Sequence, residues 1–334
     1  MIASFENIKI SFVFPCRDAS SWTEYCTKKL QKLRSSVWEA IFVDDHSDEK
    51  NFELLKFQLS QYQTLPVRLE QSPGQGPGPA RNTGLRLAKG EYIAFLDVDD
   101  EWQLERLIAL AENSTSDVVM YNHQRRYADG SIKMNQASGI LEAVNGHEIN
   151  IENIHDRQRL FYNFNVCWNK LCRREFLIGN NLFFHEGIYE DIDWSFLCLS
   201  LASTVSVTSD VLYTYVQHDG SVLKQNGIQH LAIIEAYHRA MENSVRMNGR
   251  FQEVIKDKSI KHFFAVLQSN ARLAPENKKV FLKKISIFVR TWFSASEFFR
   301  LPTVPLWKKM VAYFDIYWLW SLTRKAKTLK SALR

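Results

Sequence analysis

The 334-residue chain has few cysteines, and their spacing argues against two common kinds of stabilised small fold. Five cysteines form an odd set that contains no CxxC pair. A disulfide framework and a zinc knuckle both depend on paired spacing, so we predict neither, and a reducing compartment is expected. These residues are Cys16, Cys26, Cys167, Cys172 and Cys198.

Long apolar runs are also missing. The N-terminal segment 1–15 carries Glu6 and Lys9, so it is more typical of a β-strand than of a signal peptide. No segment reaches the roughly 18 uncharged apolar residues that are needed to span a bilayer. We therefore expect a soluble or peripheral protein.

Positive charge is concentrated at one end of the chain. The net charge is +5, but residues 301–334 hold seven basic residues against one acidic residue, which leaves −1 for residues 1–300. A nucleic-acid-binding protein would carry basic residues on a face spread through the fold. We therefore expect no nucleic-acid partner.

The first 120 residues alternate short apolar runs with helical patterns. Apolar strands separated by helices are typical of a parallel sheet covered on both faces, so we predict an α/β fold. The predicted strands are 8–14, 40–43, 92–96 and 117–121, and the predicted helices are 23–34, 50–62, 80–88 and 102–112.

The remainder of the chain divides into a mixed part and a helical part. A hairpin near Asp129–Gly130, a helix at 157–164 and strands at 204–208 and 211–216 are predicted, followed by helices at 229–247, 250–272 and 277–293. We therefore expect an α/β domain over 1–226, a helical region over 227–300 and a basic, aromatic tail over 301–334.

Three carboxylates, Asp97, Asp99 and Asp100, directly follow a predicted strand. They repel one another, and a hard divalent cation would remove that conflict. Mg²⁺ or Mn²⁺ takes one or two protein carboxylates and fills its other positions with water and phosphate oxygens. The alternative is an acidic turn that caps the helix starting near Trp102.

Two further acidic corners have the same ambiguity. Asp44 and Asp45 follow the second strand, where a carboxylate can bind a uracil ring or a ribose hydroxyl, or can form an Asx turn or helix cap. Glu190 and Asp191 stand at the start of a predicted helix. A helix N-terminus stabilises a charged carboxylate, which suits a general base, although a simple helix cap would use the same residues.

The segment PGQGPGP at 73–79 is rich in glycine and proline but does not match GxGxxG. Its three prolines remove N–H donors that a phosphate cradle would need. We therefore predict a flexible lid or a turn over a site, not a dinucleotide-binding loop.

Taken together, these segments resemble glycosyltransferase family two, and especially its bacterial branch that builds capsule and lipopolysaccharide glycans. Members of this family are inverting, nucleotide-sugar-dependent enzymes with the GT-A fold. The resemblance implies a Rossmann-like, mixed and mostly parallel sheet flanked by helices, here with a C-terminal helical extension. It spans about residues 8–226. The matching stretches are ISFVFPCRD (10–18), AIFVDDHSDE (40–49), GPARNTGLRLAKGEYIAFLDVDD (78–100), WNKLCRREF (168–176), EGIYEDIDWSF (186–196) and YVQHDGSV (215–222).

The resemblance implies a binding site for a nucleoside-diphosphate-sugar, and UDP is the expected nucleotide. Pro15 and Arg17 are similar to residues that line the nucleotide pocket, and Asp45 to the carboxylate that holds the base. Arg81 is similar to a residue that contacts the nucleotide portion, and Asp97 to one near the ribose.

The same resemblance implies the catalytic and metal-binding residues. Asp99 is similar to the metal ligand between the donor phosphates, and Asp191 to the catalytic base. His218 stands where some relatives place a histidine that completes the metal site, although a structural histidine is the alternative. Imidazole suits Mn²⁺ better than Mg²⁺, so this assignment favours manganese.

The acceptor is expected to be a glycan or a lipid-linked hydroxyl. Candidates for its binding face are Glu190, Trp168, Asn169, Lys170 and Trp194, because aromatic rings can stack on sugar CH surfaces. A core role is the alternative for either tryptophan.

The tail has an amphipathic pattern. Leu306, Met310, Tyr313, Phe314, Tyr317 and Trp320 recur at helical spacing, and basic residues lie at both ends of this stripe. We predict an in-plane helix on an anionic membrane, with Trp307, Trp318 and Trp320 at the headgroup boundary and the enzyme on the cytoplasmic face of the inner membrane. The alternative is a helix packed on its own domain or on a second protomer, so an oligomer is possible.

Two other functions are compatible with part of the pattern. An aspartate-nucleophile phosphohydrolase would use the DxD of Asp97 and Asp99, but Asp100 and Glu101 follow where Thr or Val is expected. A binding module for glycans or nucleotides without turnover is disfavoured because Asp99 and Asp191 are both present.

Overall fold

The structure is a computed structural model that describes residues 7–217, 226–302, 304–317 and 320–321. The chain separates into two compact units, residues 1–218 and 219–334. All five cysteines are buried thiols.

The first unit contains the strands and eight helices within its described residues. Its strands are β1 (Ile10–Cys16), β2 (Trp38–Asp44), β3 (Val67–Gln71), β4 (Tyr92–Phe95), β5 (Glu101–Trp102), β6 (Val118–Arg126), β7 (Ile132–Met134), β8 (Glu148–Asn150), β9 (Lys170–Arg173) and β10 (Thr204–Val216). Its helices are α1 (Ser20–Gln31), α2 (Glu49–Ser60), α3 (Pro77–Leu87), α4 (Leu104–Asn113), α5 (Ser138–Ala143), α6 (Ile154–Leu160), α7 (Arg174–Gly179) and α8 (Glu190–Leu201).

One mixed sheet connects these strands in the order β3-β2-β1-β4-β9-β6-β10-β5, with β7 on β6 and β8 on β10. The half from β3 to β4 is parallel, β9 runs antiparallel to both of its neighbours, and β6 is again parallel to β10. The predicted α/β class with a mixed sheet flanked by helices is therefore confirmed.

Burial explains why the central strands are easy to recognise. Every residue of β2 and β4 is buried, and β1 exposes only part of Pro15. A strand covered on both faces has apolar residues in succession, which is the pattern that the sequence shows. Polar groups inside this layer are paired, as where the Ser11 hydroxyl donates to the Glu39 carboxylate at 2.7 Å.

The structure differs from the predictions where strands are short or polar. The strands predicted at 204–208 and 211–216 form one strand, β10, whose register with β6 shifts between Val207 and Val211. The predicted helix at 157–164 is α6, which begins earlier and ends at Leu160. The polar, aromatic segment 167–176 contains β9 and the start of α7.

The second unit is helical in its described residues. After a short 3₁₀ turn at 228–231 come α9 (Ala232–Arg246), α10 (Gln252–Gln268), α11 (Lys278–Trp292), α12 (Ala295–Arg300) and α13 (Leu306–Phe314). Aromatic rings join these helices, and Phe263 of α10 makes edge contacts with Tyr237 of α9 and Phe288 of α11. The predicted C-terminal helices are present. No helix in the described residues is long and apolar enough to cross a membrane.

The tail is not a single free helix. α13 ends at Phe314, and Asp315 takes a left-handed conformation with φ of 54°. Trp320, expected at a headgroup boundary, is only 2% exposed, and its ring stacks on that of Trp307 at a centroid distance of 5.9 Å. Lys309 is buried as well, and its ammonium donates to the Phe299 carbonyl at 2.8 Å. Trp318 and residues 322–334 lie outside the described residues.

Candidate active site

Three parallel strands end beside one another and bring the predicted donor residues to one edge of the sheet. β1 pairs in parallel with both β2 and β4. Arg17 follows β1, Asp45 follows β2, and Asp97 begins the turn after β4. Ligands of open α/β sheets bind at this carboxyl edge, so the topology places these side chains where a nucleotide would be expected.

Asp45 connects the end of β2 to the glycine- and proline-rich loop. Its carboxylate Oδ1 accepts the Gly76 N–H at 2.7 Å, and its side chain is almost fully buried. Burial raises the pKa of Asp45, while the Gly76 N–H and the nearby Arg17 charge lower it. The charged form is therefore supported by a fixed donor and a cation.

The turn contact and the helix cap that were the alternatives at the end of β2 are made by Asp44 and Asp48, not by Asp45. Asp48 caps α2, because its carboxylate accepts the Asn51 N–H at 2.8 Å. Asp44 accepts the Ser47 N–H at 3.3 Å. Asp45 is thus not the residue that caps the helix.

The loop at 73–79 is a packed turn whose second half is helical. α3 begins at Pro77, a position that suits proline because the first N–H groups of a helix need no intrahelical acceptor. Gly76 has φ of +96°, which favours glycine. Gly78 approaches the backbone of His185 so closely that a Cβ would lie 2.1 Å from its carbonyl oxygen. Of the two predictions, lid or turn, the geometry favours the turn.

The carboxylates of the turn after β4 are held by different partners. Asp100 is buried, and it accepts the Val216 N–H at 2.7 Å and the Tyr213 hydroxyl. Asp97 accepts from the guanidinium of Arg81 at 2.8 Å. These partners reduce the mutual repulsion of the acids. The alternative helix cap is not formed, because α4 begins at Leu104 without a side-chain cap.

Arg81 joins the two acidic segments of the site. It is 4% exposed, and its two terminal nitrogens bind Asp97 Oδ1 at 2.8 Å and Glu190 Oε1 at 2.5 Å. Its guanidinium also lies over the Phe184 ring, 5.6 Å from the centroid. The side chain predicted to contact the nucleotide therefore has two protein carboxylates as partners.

The two acids at the start of α8 are in different environments. Glu190 is buried and bound to Arg81, whereas no hydrogen bond among the described residues occupies the half-buried Asp191 carboxylate. Tyr189, just before them, has a left-handed φ of 65°, an uncommon and strained conformation for an aromatic residue. Asp191 is thus the member of the pair that Arg81 does not bind.

The electrostatic environment favours a weakly acidic Asp191. Burial raises its pKa well above the ordinary value of 3.8, the Glu190 carboxylate raises it further, and the Arg81 charge lowers it. A general base works best when its pKa is close to the working pH, so a raised value suits proton abstraction.

Arg157, which the sequence patterns did not single out, holds the far end of α8. It is fully buried and donates to the carbonyls of Leu199 and Ala202 at 3.0 and 3.1 Å. A cation at a helix C-terminus is favourable for the last carbonyls and for the helix dipole. Nothing in the surrounding sequence distinguishes this arginine from an exposed one.

The residues expected on the acceptor face are mostly inside the core. Trp168 is 4% exposed and stacks on Tyr213 at 4.2 Å, and Trp194 is 1% exposed and donates its indole N–H to the Leu182 carbonyl. Asn169 and Lys170 are also buried. Their burial argues against direct contact with an acceptor and favours the core role that was open for the tryptophans.

Asp99 is the predicted metal ligand that lies in the described part of the chain. No cluster of three or more His, Cys, Asp or Glu side chains arranged for metal binding occurs there, and His218 lies outside it. One or two protein carboxylates suffice for a cation that also binds phosphate oxygens. Half-buried Asp99, on the turn at the carboxyl edge, fits that requirement.

Comparison with known proteins decides the family. The family profile described as Glycosyl transferase family 2 matches residues 11–178, half of the chain. The chain belongs to glycosyltransferase family 2. This glycosyltransferase is similar to the uncharacterized glycosyltransferase YibD of Escherichia coli strain K12, with 25% identity over 260 residues that cover 74% of this chain and 73% of YibD.

Two further proteins are also similar to this chain. The poly(ribitol-phosphate) beta-glucosyltransferase of Bacillus spizizenii is 23% identical over 344 residues, which cover 97% of this chain but 51% of that protein. The crystal structure of S. aureus TarS 1–349 in complex with UDP-GlcNAc aligns with a TM-score of 0.66 at 19% identity and covers 85% of this chain and 81% of TarS. The glycosyltransferase thus has the GT-A fold that the resemblance implied.

Proposed function

We propose that this glycosyltransferase moves a sugar from a UDP-sugar to a hydroxyl of a glycan or lipid-linked acceptor in bacterial surface polysaccharide synthesis, with inversion at the anomeric carbon. The division of roles at the start of α8 carries the proposal, because Arg81 holds Glu190 and leaves Asp191 available. Similarity to a poly(ribitol-phosphate) transferase and to a UDP-GlcNAc complex supports the donor and acceptor classes.

The donor binds at the carboxyl edge of the parallel strands in this proposal. Asp45 accepts a hydrogen bond from the base, while Pro15 and Arg17 line the nucleotide pocket. Asp97 lies near the ribose, where Arg81 fixes its orientation. The raised pKa of Asp45, caused by its burial, would favour a hydrogen bond to a neutral base N–H.

Asp99 would hold a divalent cation, Mn²⁺ or Mg²⁺, with His218 as a further ligand in the manganese case. When bound, such a cation neutralises charge on a departing diphosphate. The hard oxygen of a carboxylate is the ligand type that either ion accepts.

Asp191 acts as the general base. Its carboxylate accepts the proton of the acceptor hydroxyl as the hydroxyl oxygen forms a bond to the anomeric carbon. The bond from that carbon to the diphosphate oxygen breaks in the same displacement, and the nucleoside diphosphate leaves. A single displacement by one base inverts the anomeric configuration.

The direct test of the proposed activity is donor hydrolysis. The full-length protein would be incubated with Mn²⁺ or Mg²⁺ and a panel of UDP-, GDP- and dTDP-sugars, and free nucleoside diphosphate would be measured by chromatography. We expect slow, metal-dependent release from a UDP-sugar. Binding of nucleotide sugars without any release, with or without candidate acceptors, would instead favour a non-catalytic binding module.

We also propose that the tail helix α13 docks on an anionic membrane surface. Leu306, Met310 and Phe314 lie one turn apart on α13 and are 64%, 37% and 53% exposed. An exposed apolar stripe beside a basic chain end is typical of interfacial helices. The docking would place the enzyme on the cytoplasmic face of the inner membrane, near lipid-linked acceptors.

Vesicle partition tests the docking proposal. Replacing Leu306, Met310 and Phe314 by serine should abolish binding to vesicles of phosphatidylcholine and phosphatidylglycerol in equal parts. The matched control replaces Val280 and Ile287, which are 45% and 42% exposed on α11. Equal binding by both variants would contradict docking through α13, and a change in oligomeric state instead would indicate a protein partner.

A further inference from the structure

Lys170 is a buried cation in an apolar layer. Lys170 lies in β9 and is 1% exposed, and it pairs with Met120 of the adjacent strand β6. Its ammonium donates to the Val166 carbonyl at 2.6 Å and to Asn169 Oδ1 at 2.7 Å. Among the described residues no carboxylate lies within 4.0 Å of it, and a buried ammonium without a compensating charge is costly. Such a lysine calls for a functional explanation.

The packing of α8 on β9 places Lys170 on the face of the sheet that α8 covers. Lys170 and Cys172 alternate along β9 and so share one face of the strand. Cys172 Sγ lies 3.7 Å from Cys198 Sγ of α8, so this face packs against the helix. Asp191, Ser195 and Cys198 are three or four residues apart and therefore lie on the same side of α8.

Ser195 supplies a second, independent observation on this side of the helix. It is 1% exposed, and its hydroxyl has no hydrogen-bond partner among the described residues. Buried hydroxyl groups are normally paired, so an orphaned one suggests a functional reason. Its position one turn from Asp191 makes it part of the same polar layer.

We propose that Lys170 is a positioning residue for Asp191, and that its ammonium and the Ser195 hydroxyl form a polar support beneath the base that keeps the carboxylate charged. The proposal rests on the proposed function, because it assigns a support to the base of that reaction. Lys170 would not touch the acceptor, which agrees with its burial.

The charges around Asp191 explain why a second cation is needed. Glu190 lies on its own helix, Arg81 on α3, Asp97 on the turn after β4 and Lys170 on β9. The buried Cys167 thiol, in the segment before β9, is a further titratable group near Asp191. Arg81 is already bound to both of the other acids, Glu190 and Asp97. Lys170 is therefore a second cation, beside Arg81, that compensates Asp191.

The pKa shifts of Asp191 and Lys170 have the directions expected for two opposite charges that interact. Burial raises the pKa of Asp191, with Glu190 and Asp97 adding to the rise, whereas Arg81 and Lys170 lower it. Burial lowers the pKa of Lys170, and Asp191 is among the groups that raise it. Each charge thus stabilises the other.

The pH profile of kcat tests the proposal. Lys170→Met keeps most of the length of the side chain and removes its charge. We expect kcat at about pH 6 to fall roughly tenfold, as a lost charge-stabilising partner would cause, and to recover toward the wild-type value above about pH 8. The KM for the UDP-sugar should change little. Lys170→Arg should restore most of the acidic limb.

Two further variants keep the test decisive. Ser195→Ala should shift the acidic limb in the same direction by a smaller amount. Lys256→Met removes a comparably buried lysine, 6% exposed in the second unit, and should leave the profile unchanged. Folding of each variant would be checked by circular dichroism.

Three outcomes would overturn the proposal. The first is an unchanged profile in folded Lys170→Met. The second is a fall in kcat that is equal at all pH values. The third is loss of folding in both Lys170 variants together with a wild-type profile in Ser195→Ala. Absence of any turnover in the wild-type protein would instead contradict the proposed function, so the two failures are distinguishable.

Discussion

The turn at 97–100 and the start of α8 both crowd acids into a few residues, but they hold their charges differently. In the turn, Asp100 is bound by a neutral hydroxyl and a backbone N–H from β10. At the start of α8, Glu190 is bound by the Arg81 guanidinium. Asp100 thus anchors the turn to β10 through neutral groups, whereas Glu190 anchors the start of α8 to a charged side chain.

This difference teaches how one site can use neighbouring carboxylates for unlike tasks. Asp97 and Asp100 of the turn and Glu190 of the helix are bound by identified protein groups. Asp99 in the turn and Asp191 in the helix lie half-buried at the site. Arg81 links the segments, because it binds Asp97 in one and Glu190 in the other. Substitution of Asp99 and of its neighbour Asp100 should therefore affect different properties of the protein, and the same holds for Asp191 and Glu190.

The largest effect is expected at the helix. Asp191→Asn should lower turnover by roughly 10²- to 10⁴-fold, as expected for loss of a general base, and leave UDP-sugar affinity nearly unchanged. Single-turnover kinetics and calorimetry would measure the two quantities. Asp156→Asn, which changes an acid in the first turn of α6, is the control. Full transfer activity in Asp191→Asn would refute the assignment of the base.

The next largest effect is expected in the turn. Asp99→Ala should weaken metal-dependent donor binding by at least the ~10- to 100-fold that loss of an outer partner costs a metal site, because it removes a ligand. Titration of UDP with and without Mn²⁺ would measure this. If the variant bound UDP as the wild type does in both conditions, Asp99 would not be a metal ligand.

A third substitution tests the anchoring of the turn. Asp100→Ala leaves the Val216 N–H and the Tyr213 hydroxyl without their acceptor, so we expect the free energy of unfolding to fall by about 1–3 kcal/mol. Urea denaturation would measure the change. Tyr213→Phe, which removes only the hydroxyl, should cost less. Unchanged stability in both variants would contradict the structural role of Asp100.

The smallest effect concerns stability at the base itself. Burial raises the pKa of Asp191 in the folded protein, so its contribution to stability is present below the unfolded pKa and is lost as the pH rises through the folded pKa. Asp191→Asn, which cannot ionise, should therefore be more stable than the wild type at neutral pH and no more stable near pH 3. Equal unfolding free energies throughout this range would contradict the raised pKa.

The part of the fold that could be predicted from sequence is the part with continuous apolar strands. β1, β2 and β4 are almost entirely buried, and β6 begins with a long buried run. Arg17, Asp45 and Asp97 follow β1, β2 and β4 and therefore lie at one edge of the sheet. β3 was missed because its residues are half-buried or exposed, so polar residues interrupt the apolar run that marks a buried strand.

Buried cations account for most of what the sequence did not show in the site. Arg157 and Lys170 are polar by type but buried, and backbone carbonyls and an amide oxygen accept from the terminal nitrogens of their side chains. The Leu199 and Ala202 carbonyls that accept from Arg157 lie more than 40 residues away in sequence, which no local pattern reveals. β9 was missed for the same reason, because a lysine at its start masks a buried strand.

A crystal structure of the full-length protein with UDP and Mn²⁺ would test the central claim most directly. We predict the base at Asp45, the cation between Asp99 and the diphosphate, and the Asp191 carboxylate facing the same space. Bound UDP that leaves Asp45, Asp99 and Asp191 in separate cavities would contradict the account.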